Sequence, residues 1–456
     1  MLPVEFLNRL AAVAGEGNLL TSAADCYVYG YDNSRKIFPP EAVFFASSAE
    51  SVQSAIQLCN EYRIPVTPRG RGTGTTGASI PERGGLALSL ERMRAIRRVD
   101  PANRVMVCEP GVLNQEVQDA AAEHGFFWPP DPSSAPYCSI GGNLATCAGG
   151  PHAVKYGVTR DHVLGLKAVT GSGSLIKTGC YTTKGVVGYD LTRLLIGSEG
   201  SLAVITEATL KLTPLPAATG GLTAHYRDIA SCARAIAAIM AQPATPSALE
   251  FLDQASLELI RNRHPGLLPE ETRALLMIEV DGSPAEVAAS AETIRKHCEN
   301  DGLIQAAIST DMKNLWAARK ALSPLLRDIA PKKINEDVVV PVSRLPELLQ
   351  GLADLSARYR VANANFGHAG NGNIHVNLLV NPDDPDELQR AEACLDEVFS
   401  LVLKLEGTLS GEHGTGREKR PFIAREIDPA TLHLMRDIQK VFDPGGILNP
   451  GKPFPD

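Results

Sequence analysis

The chain lacks what several protein classes require. It has no basic excess: 44 Lys and Arg stand against 52 Asp and Glu, a formal charge of −8. General nucleic-acid binding, which neutralises phosphates with clustered cations, is therefore excluded as an expectation. Its nine cysteines are scattered and form no C-x-x-C pair. Zinc ribbons and iron–sulfur runs are not expected, and single cysteines of odd number fit a reducing cytosol. No apolar run approaches the roughly 18–20 residues that would span a bilayer. Met1–Leu10 carries no basic stretch followed by an apolar core, so it does not read as a signal peptide. The expected location is cytoplasmic, with peripheral attachment at the inner face of a membrane left open. No histidine precedes His124. There is no fixed-period repeat and no low-complexity tract.

What is present is glycine in organised clusters. A chain of 456 residues implies two or three domains. In its first half, residues 5–14 space as a helix. Ala42–Ala46 reads as a buried strand, and Ser48–Arg63 as a helix with Ser48 as N-cap. Leu86–Leu90, Val105–Cys108, Val163–Thr170 and Ser201–Leu212 read as strands, and Val112–His124 as a helix ending at Gly125. Pro68-Arg69-Gly70-Arg71-Gly72-Thr73-Gly74-Thr75-Thr76-Gly77 contains a literal G-x-G-x-x-G. A Rossmann site needs a helix to begin inside that pattern, and the following Pro81, Gly84 and Gly85 oppose one. A nest of backbone N–H groups around a pyrophosphate needs no helix. An ordinary surface loop is the alternative on this segment alone. Residues 128–157 form a long irregular stretch of Gly, Pro, Ser and Ala. It includes Pro132, Ser139-Ile-Gly141-Gly142-Asn143, Thr146 and Gly149, small residues that suit a wall against a flat polar-edged ring system.

After Pro214-Leu-Pro216 the texture changes to helices separated by strands such as Ala274–Val280 and Asp337–Val342, a second α+β region. Near its end stand two histidine clusters, Phe366-Gly-His368-Ala-Gly-Asn-Gly-Asn-Ile-His375-Val-Asn377 and Ser410-Gly-Glu412-His413-Gly-Thr-Gly-Arg417. A hairpin-like turn through Ala369–Asn373 would bring both imidazoles to one point. With Glu412 they offer two nitrogens and one oxygen, suited to Zn²⁺, Mn²⁺ or Fe²⁺ without choosing among them. His413 is then a spare imidazole, the residue type that exchanges protons near neutral pH. Asn377 is a candidate for the substrate or the metal shell.

Arg69-Gly-x-Gly72-Thr73, Ser139-Ile-Gly-Gly142-Asn143, Tyr156-Gly157, Gly197-Ser-Glu199-Gly200 and Phe442-Asp-Pro-Gly-Gly-Ile-Leu-Asn449-Pro-Gly-Lys452 resemble the vanillyl-alcohol-oxidase type of FAD enzyme over nearly the whole chain. The similar branch is that of glycolate oxidase flavin subunits, D-lactate dehydrogenases and D-2-hydroxyglutarate dehydrogenases. The resemblance implies an α+β architecture. A two-part FAD-binding domain (1–215) is followed by an α+β cap or substrate domain (216–406) and a C-terminal segment with helix (407–456) that completes the site. It assigns Arg69, Gly70, Arg71, Gly72, Thr73 and Gly74, with Ser139, Gly141, Gly142, Asn143 and Thr146, to the FAD pyrophosphate and flavin. Val163 is placed near the adenine, Gly200 and Ile205 near the flavin, and Glu199 belongs to the cofactor set. Pro132, Gly149, Tyr156, Gly157 and Asn449 complete the cofactor set. It also assigns His368, His375 and Glu412 to the metal and His413 to proton abstraction. Arg319 matches the carboxylate-binding arginine, and Lys333 is a second anion-binding candidate. Thr73 stands where some relatives carry a histidine that attaches FAD, so non-covalent FAD is expected.

The implied reaction is metal-assisted oxidation of D-lactate, glycolate or a similar D-2-hydroxy acid to the 2-oxo acid. Electrons would pass to an external acceptor: an electron-transfer flavoprotein, an iron–sulfur subunit or a quinone. D-2-hydroxyglutarate is the alternative substrate, and a homodimer is compatible with the resemblance. Two readings of another class stay open on sequence alone. A metal-dependent hydrolase could use His368, His375 and Glu412 to activate water, and a flavin-binding subunit could lack catalysis.

Overall fold

A computed structural model describes residues 2–309, 312–452 and 454. The chain divides into two units. The first comprises Met1–Gly149, Gly157–Leu215 and Glu412–Asp456; the second comprises Gly150–Tyr156 and Pro216–Gly411. The second unit thus takes in a short piece, 150–156, that the sequence boundary at 215 assigns to the first, and it runs on past 406.

The first unit has two main sheets. In one, the strands lie in the order Leu19–Leu20, Ala42–Phe45, Leu86–Ser89, Val66–Arg69, the last three parallel. The crossover helix Ala49–Tyr62 starts at Ser48, whose hydroxyl accepts from the Ser51 amide in a capping box, and stops at Arg63 in the left-handed region. Its Val52, Ala55, Ile56 and Cys59 recur at helical spacing and are fully buried or nearly so. Each large aliphatic among them contributes about 1.5–3 kcal/mol by leaving water. The other sheet runs Ile96–Asp100, Val105–Cys108, Ala203–Lys211, Val163–Thr170, Leu175–Gly179, all antiparallel. No helix follows Gly77, as the prolines and glycines there require. The stretch 128–157 is less irregular than its composition indicates. Ile140–Thr146 is a helix whose N-cap, Ser139, accepts from the Gly142 amide.

The second unit is built on one antiparallel sheet of seven strands: Leu303–Ser309, Ala218–Tyr226, Ala274–Gly282, Ala248–Leu252, Ala362–His368, Asn373–Val380, Lys332–Val339. The last of these begins five residues earlier than the apolar run at 337 indicates, because Lys332–Glu336 pairs with Val376–Val380 despite its polar side chains. Every residue of Asn373–Val380 is buried, so each polar side chain on it needs a partner. Among the described residues no helix is long and apolar enough to cross a membrane.

Candidate active site

The register of the second sheet creates a polar row on one face. Glu250 pairs with His368, Phe366 with His375, and Asp337 with His375 on its other side. Residues directly opposite share a face, and so do residues two apart on one strand. The turn Ala369–Gly372 between the histidine strands closes on Gly372 at φ +73°, where a Cβ would sit 1.9 Å from the Val340 carbonyl oxygen. Glycine alone fits both constraints. The outcome is that His375 Nε2 lies 3.4 Å from His368 Nε2.

Behind this pair stands a carboxylate that the sequence reading missed. Glu250 is fully buried. Its Oε1 lies 2.5 Å from His368 Nδ1. Its Oε2 accepts from Arg319 Nε at 2.8 Å and Nη2 at 2.6 Å. Burial pushes the Glu250 carboxyl up, but His368 and Arg319 outweigh it and hold the group below the ordinary carboxylate range. The Arg319 guanidinium also lies over the Phe366 ring, 4.6 Å from its centroid. A lone acidic residue inside Ala248-Leu-Glu-Phe-Leu252 was the available signal, since glutamate is almost never fully buried unless paired.

The other candidates of this unit are placed as follows. Asn377 is fully buried. Its amide donates to Ala364 O at 2.9 Å and His375 O at 3.1 Å, and its Oδ1 accepts from Asn335 at 2.6 Å. These bonds tie it to the strands on either side. Lys333 donates to Ser323 Oγ at 2.6 Å, outside the Glu250–Arg319–His368 group. Tyr156, expected at the cofactor, donates to Asp281 at 2.7 Å, within the second unit. Asp337, also missed, accepts from Ser410 Oγ at 3.2 Å and from the Gly411 amide at 2.9 Å. It therefore fixes the backbone immediately before Glu412.

In the first unit the expected cofactor segments converge. A Cβ at Gly70 would lie 2.5 Å from Ser139 Oγ, so the loop after strand Val66–Arg69 and the start of helix Ile140–Thr146 touch backbone to side chain. Gly74 opens on space. Arg69 is turned inward and spans its own loop, donating to Tyr31 O at 2.8 Å and Ser79 O at 3.3 Å. Arg71 lies 3.7 Å from Glu91, and the Thr73 carbonyl accepts from Asn33 at 3.2 Å. Asn143 Oδ1 accepts from Asn114 at 3.1 Å. Val163 and Ile205 are buried in the antiparallel sheet, the first opening its strand and the second three residues into its own.

The Glu412–Gly416 turn is laid against the same wall. A Cβ at Gly149 would be 2.8 Å from Glu412 Oε2, and one at Gly414 would be 2.2 Å from Glu199 Oε1 and 3.5 Å from Thr146 Cγ2. Thr76 Oγ1 donates to His413 O at 3.2 Å. Glu199 accepts from the Thr415 amide at 2.5 Å and the Gly416 amide at 2.9 Å; burial nevertheless leaves its carboxyl raised. Asn449 closes the circuit, donating to Glu199 O at 2.7 Å and Ala78 O at 2.8 Å. Glu412 and His413 thus border the segments expected to hold a pyrophosphate and a ring system.

Comparison with known proteins adds the following. Residues 40–179 match the FAD binding domain family, and residues 215–453 match the family of FAD linked oxidases, C-terminal domain. The glycolate oxidase subunit GlcD of Bacillus subtilis (strain 168) is 36% identical over 459 residues, covering 100% of this chain and 97% of that one. A D-lactate dehydrogenase of Anaerostipes hadrus is 34% identical over 425 residues, covering 91% of this chain and 89% of the relative. In structure, 4-ethylphenol oxidase from Gulosibacter chungangensis superposes with a TM-score of 0.79 at 17% identity, covering 99% of this chain and 97% of that one. This likeness shows the vanillyl-alcohol-oxidase-type fold that the sequence motifs imply.

Proposed function

We propose a reaction for a chain that belongs to the FAD-linked oxidases: it oxidises a small D-2-hydroxy acid, glycolate or D-lactate, to the 2-oxo acid with the help of a divalent metal. That the chain is an FAD-dependent oxidoreductase follows from its family; substrate, metal and acceptor are our reading. One observation carries it. Glu250 on His368 Nδ1 holds that nitrogen as the N–H side, which leaves Nε2 with its lone pair facing His375 Nε2. A carboxylate behind a histidine in this way is the usual outer partner of a metal ligand. The donor set of two imidazoles with Glu412 as third ligand fits Zn²⁺, Mn²⁺ or Fe²⁺.

FAD, when bound, supplies the acceptor for hydride; the ion, when bound, lowers the pKa of the substrate hydroxyl. The residues supply the rest. Arg319 fixes the substrate carboxylate through the guanidinium edge that Glu250 does not use. His413 takes the hydroxyl proton. The wall of Gly70, Ser139, Gly142 and Thr146 lets the cofactor approach backbone closely. Electrons leave to an external acceptor, a partner protein or a quinone. The names of both relatives, a glycolate oxidase subunit and a D-lactate dehydrogenase, support the substrate class.

The test is the visible spectrum of metal-loaded protein under anaerobic conditions. D-lactate or glycolate should bleach the oxidised-flavin band, and L-lactate should leave it unchanged. If neither acid bleaches it while D-2-hydroxyglutarate does, the small-substrate assignment is wrong; if none of the three does, the hydroxy-acid reading is wrong. A second expected outcome concerns attachment. Thr73 has no nucleophilic nitrogen and no histidine lies in residues 1–123, so acid precipitation should leave the yellow colour in the supernatant. Colour that stays with the pellet would contradict non-covalent FAD.

A further inference from the structure

We propose that Glu250 is a positioning residue that prepares His368 for the metal and Arg319 for the substrate carboxylate together, so that the two affinities depend on one buried side chain. The proposal rests on the function above and deepens it. The geometry divides the carboxylate cleanly: Oε1 is taken by His368 Nδ1 at 2.5 Å, and Oε2 by Arg319 Nε and Nη2 at 2.8 and 2.6 Å. Glu250 is 0% exposed and Arg319 is 6% exposed. Neither group can be rehydrated if the other is lost, so each holds the other in place.

The sheet makes this arrangement rigid. Glu250 is the cross-strand partner of His368, and the flanking Phe251–Gly367 and Leu252–Phe366 pairs lock the register. A slip of one residue would send Glu250 to the opposite face. Arg319 comes from helix Lys313–Leu325 and is pinned from the side by the Phe366 ring. The side-on grip through Nε and Nη2 leaves the outer N–H groups of the fork to take a ligand carboxylate. An arginine without this anchor would carry several rotamers into the site. A histidine without it would divide between two tautomers, one of which carries its proton on the metal-facing nitrogen.

Glu250→Gln keeps the shape and removes the charge. The measurement is Zn²⁺ titration of chelator-stripped, FAD-containing, full-length protein, with kcat and KM for the hydroxy acid that bleaches the wild-type flavin. Zn²⁺ should bind about 10- to 100-fold more weakly than in wild type, and KM at saturating Zn²⁺ should rise by more than kcat falls, with FAD retained. Arg319→Lys, which keeps a cation beside Glu250 but loses the fork, should in contrast raise KM by a larger factor than it weakens Zn²⁺ binding. A Glu250→Gln protein with wild-type Zn²⁺ affinity or wild-type KM overturns the proposal. If the unpaired Arg319 prevents Glu250→Gln from folding, the double change Glu250→Gln with Arg319→Met removes the buried charges together. Weakened Zn²⁺ binding there supports the proposal, and unchanged binding overturns it. Wild-type protein that binds no Zn²⁺, Mn²⁺ or Fe²⁺ would instead bring down the metal reading itself and this inference with it.

Discussion

Alanine at position 413 is expected to slow substrate-driven flavin reduction by about 10²–10⁴-fold, the usual worth of a positioned general base, while FAD and metal stay bound. The separation follows from how the turn is held. His413 is fixed through its backbone, whose carbonyl accepts from Thr76 Oγ1 at 3.2 Å, and alanine keeps that carbonyl. The residues after it are fixed by Glu199, which takes the Thr415 and Gly416 amides. The residue before Glu412 is fixed by Asp337. Alanine keeps every one of these backbone anchors, so the expected effect of the change is loss of the proton acceptor. The check is stopped-flow bleaching of the flavin by the wild-type substrate, with metal content and flavin stoichiometry on the same sample. A variant that reduces at more than about a tenth of the wild-type rate, well outside the range for a general base, would remove His413 from this role. A variant that loses FAD or metal would show that the imidazole holds the site together.

The parts of this site that were legible in the sequence were those written as local spacing. Glycines at 370 and 372 between His368 and His375 announce a tight reversal, and the structure places the two imidazoles against each other across it, nearly perpendicular. Helix Ala49–Tyr62 begins at the serine that its pattern nominates. What stayed hidden depends on register between strands far apart in the chain. Glu250 lies 118 residues before His368, and nothing near it in sequence says which strand it will oppose. Asp337 meets His375 for the same reason. The bonds that Asn377 makes to Ala364 and Asn335 on the strands beside it were hidden for the same reason. The helix at Ile140–Thr146 was masked by Gly141 and Gly142, which lower intrinsic helix propensity; the capping serine and the packing of Ile140 and Leu144, both fully buried, override that local cost.

The same reasoning ranks the metal-site variants, and His375→Ala should be the most damaging of them. A metal that polarises the reacting oxygen is worth several kcal/mol of charge stabilisation, and at about 1.4 kcal/mol per decade its loss is roughly a thousandfold in turnover. His375 is buried, and its ring packs against Phe366 and His368 at centroid separations of 5.8 and 5.1 Å, so its place is enclosed by other side chains. Alanine leaves one imidazole and one carboxylate, too few for the three-protein-ligand sites that hold catalytic zinc. Glu250→Gln keeps all three ligands and acts on the metal through the orientation of one, besides loosening Arg319, so its loss in turnover at saturating substrate should be smaller by about a decade or more. The order of damage, ligand first and outer carboxylate second, is the discriminating result. Metal content and anaerobic turnover measured on both variants, with FAD stoichiometry as the control for the first unit, would establish it. Equal losses in the two would mean that Glu250 acts as part of the sheet's structural core. A smaller loss in His375→Ala would mean that the ion, if bound, is held elsewhere.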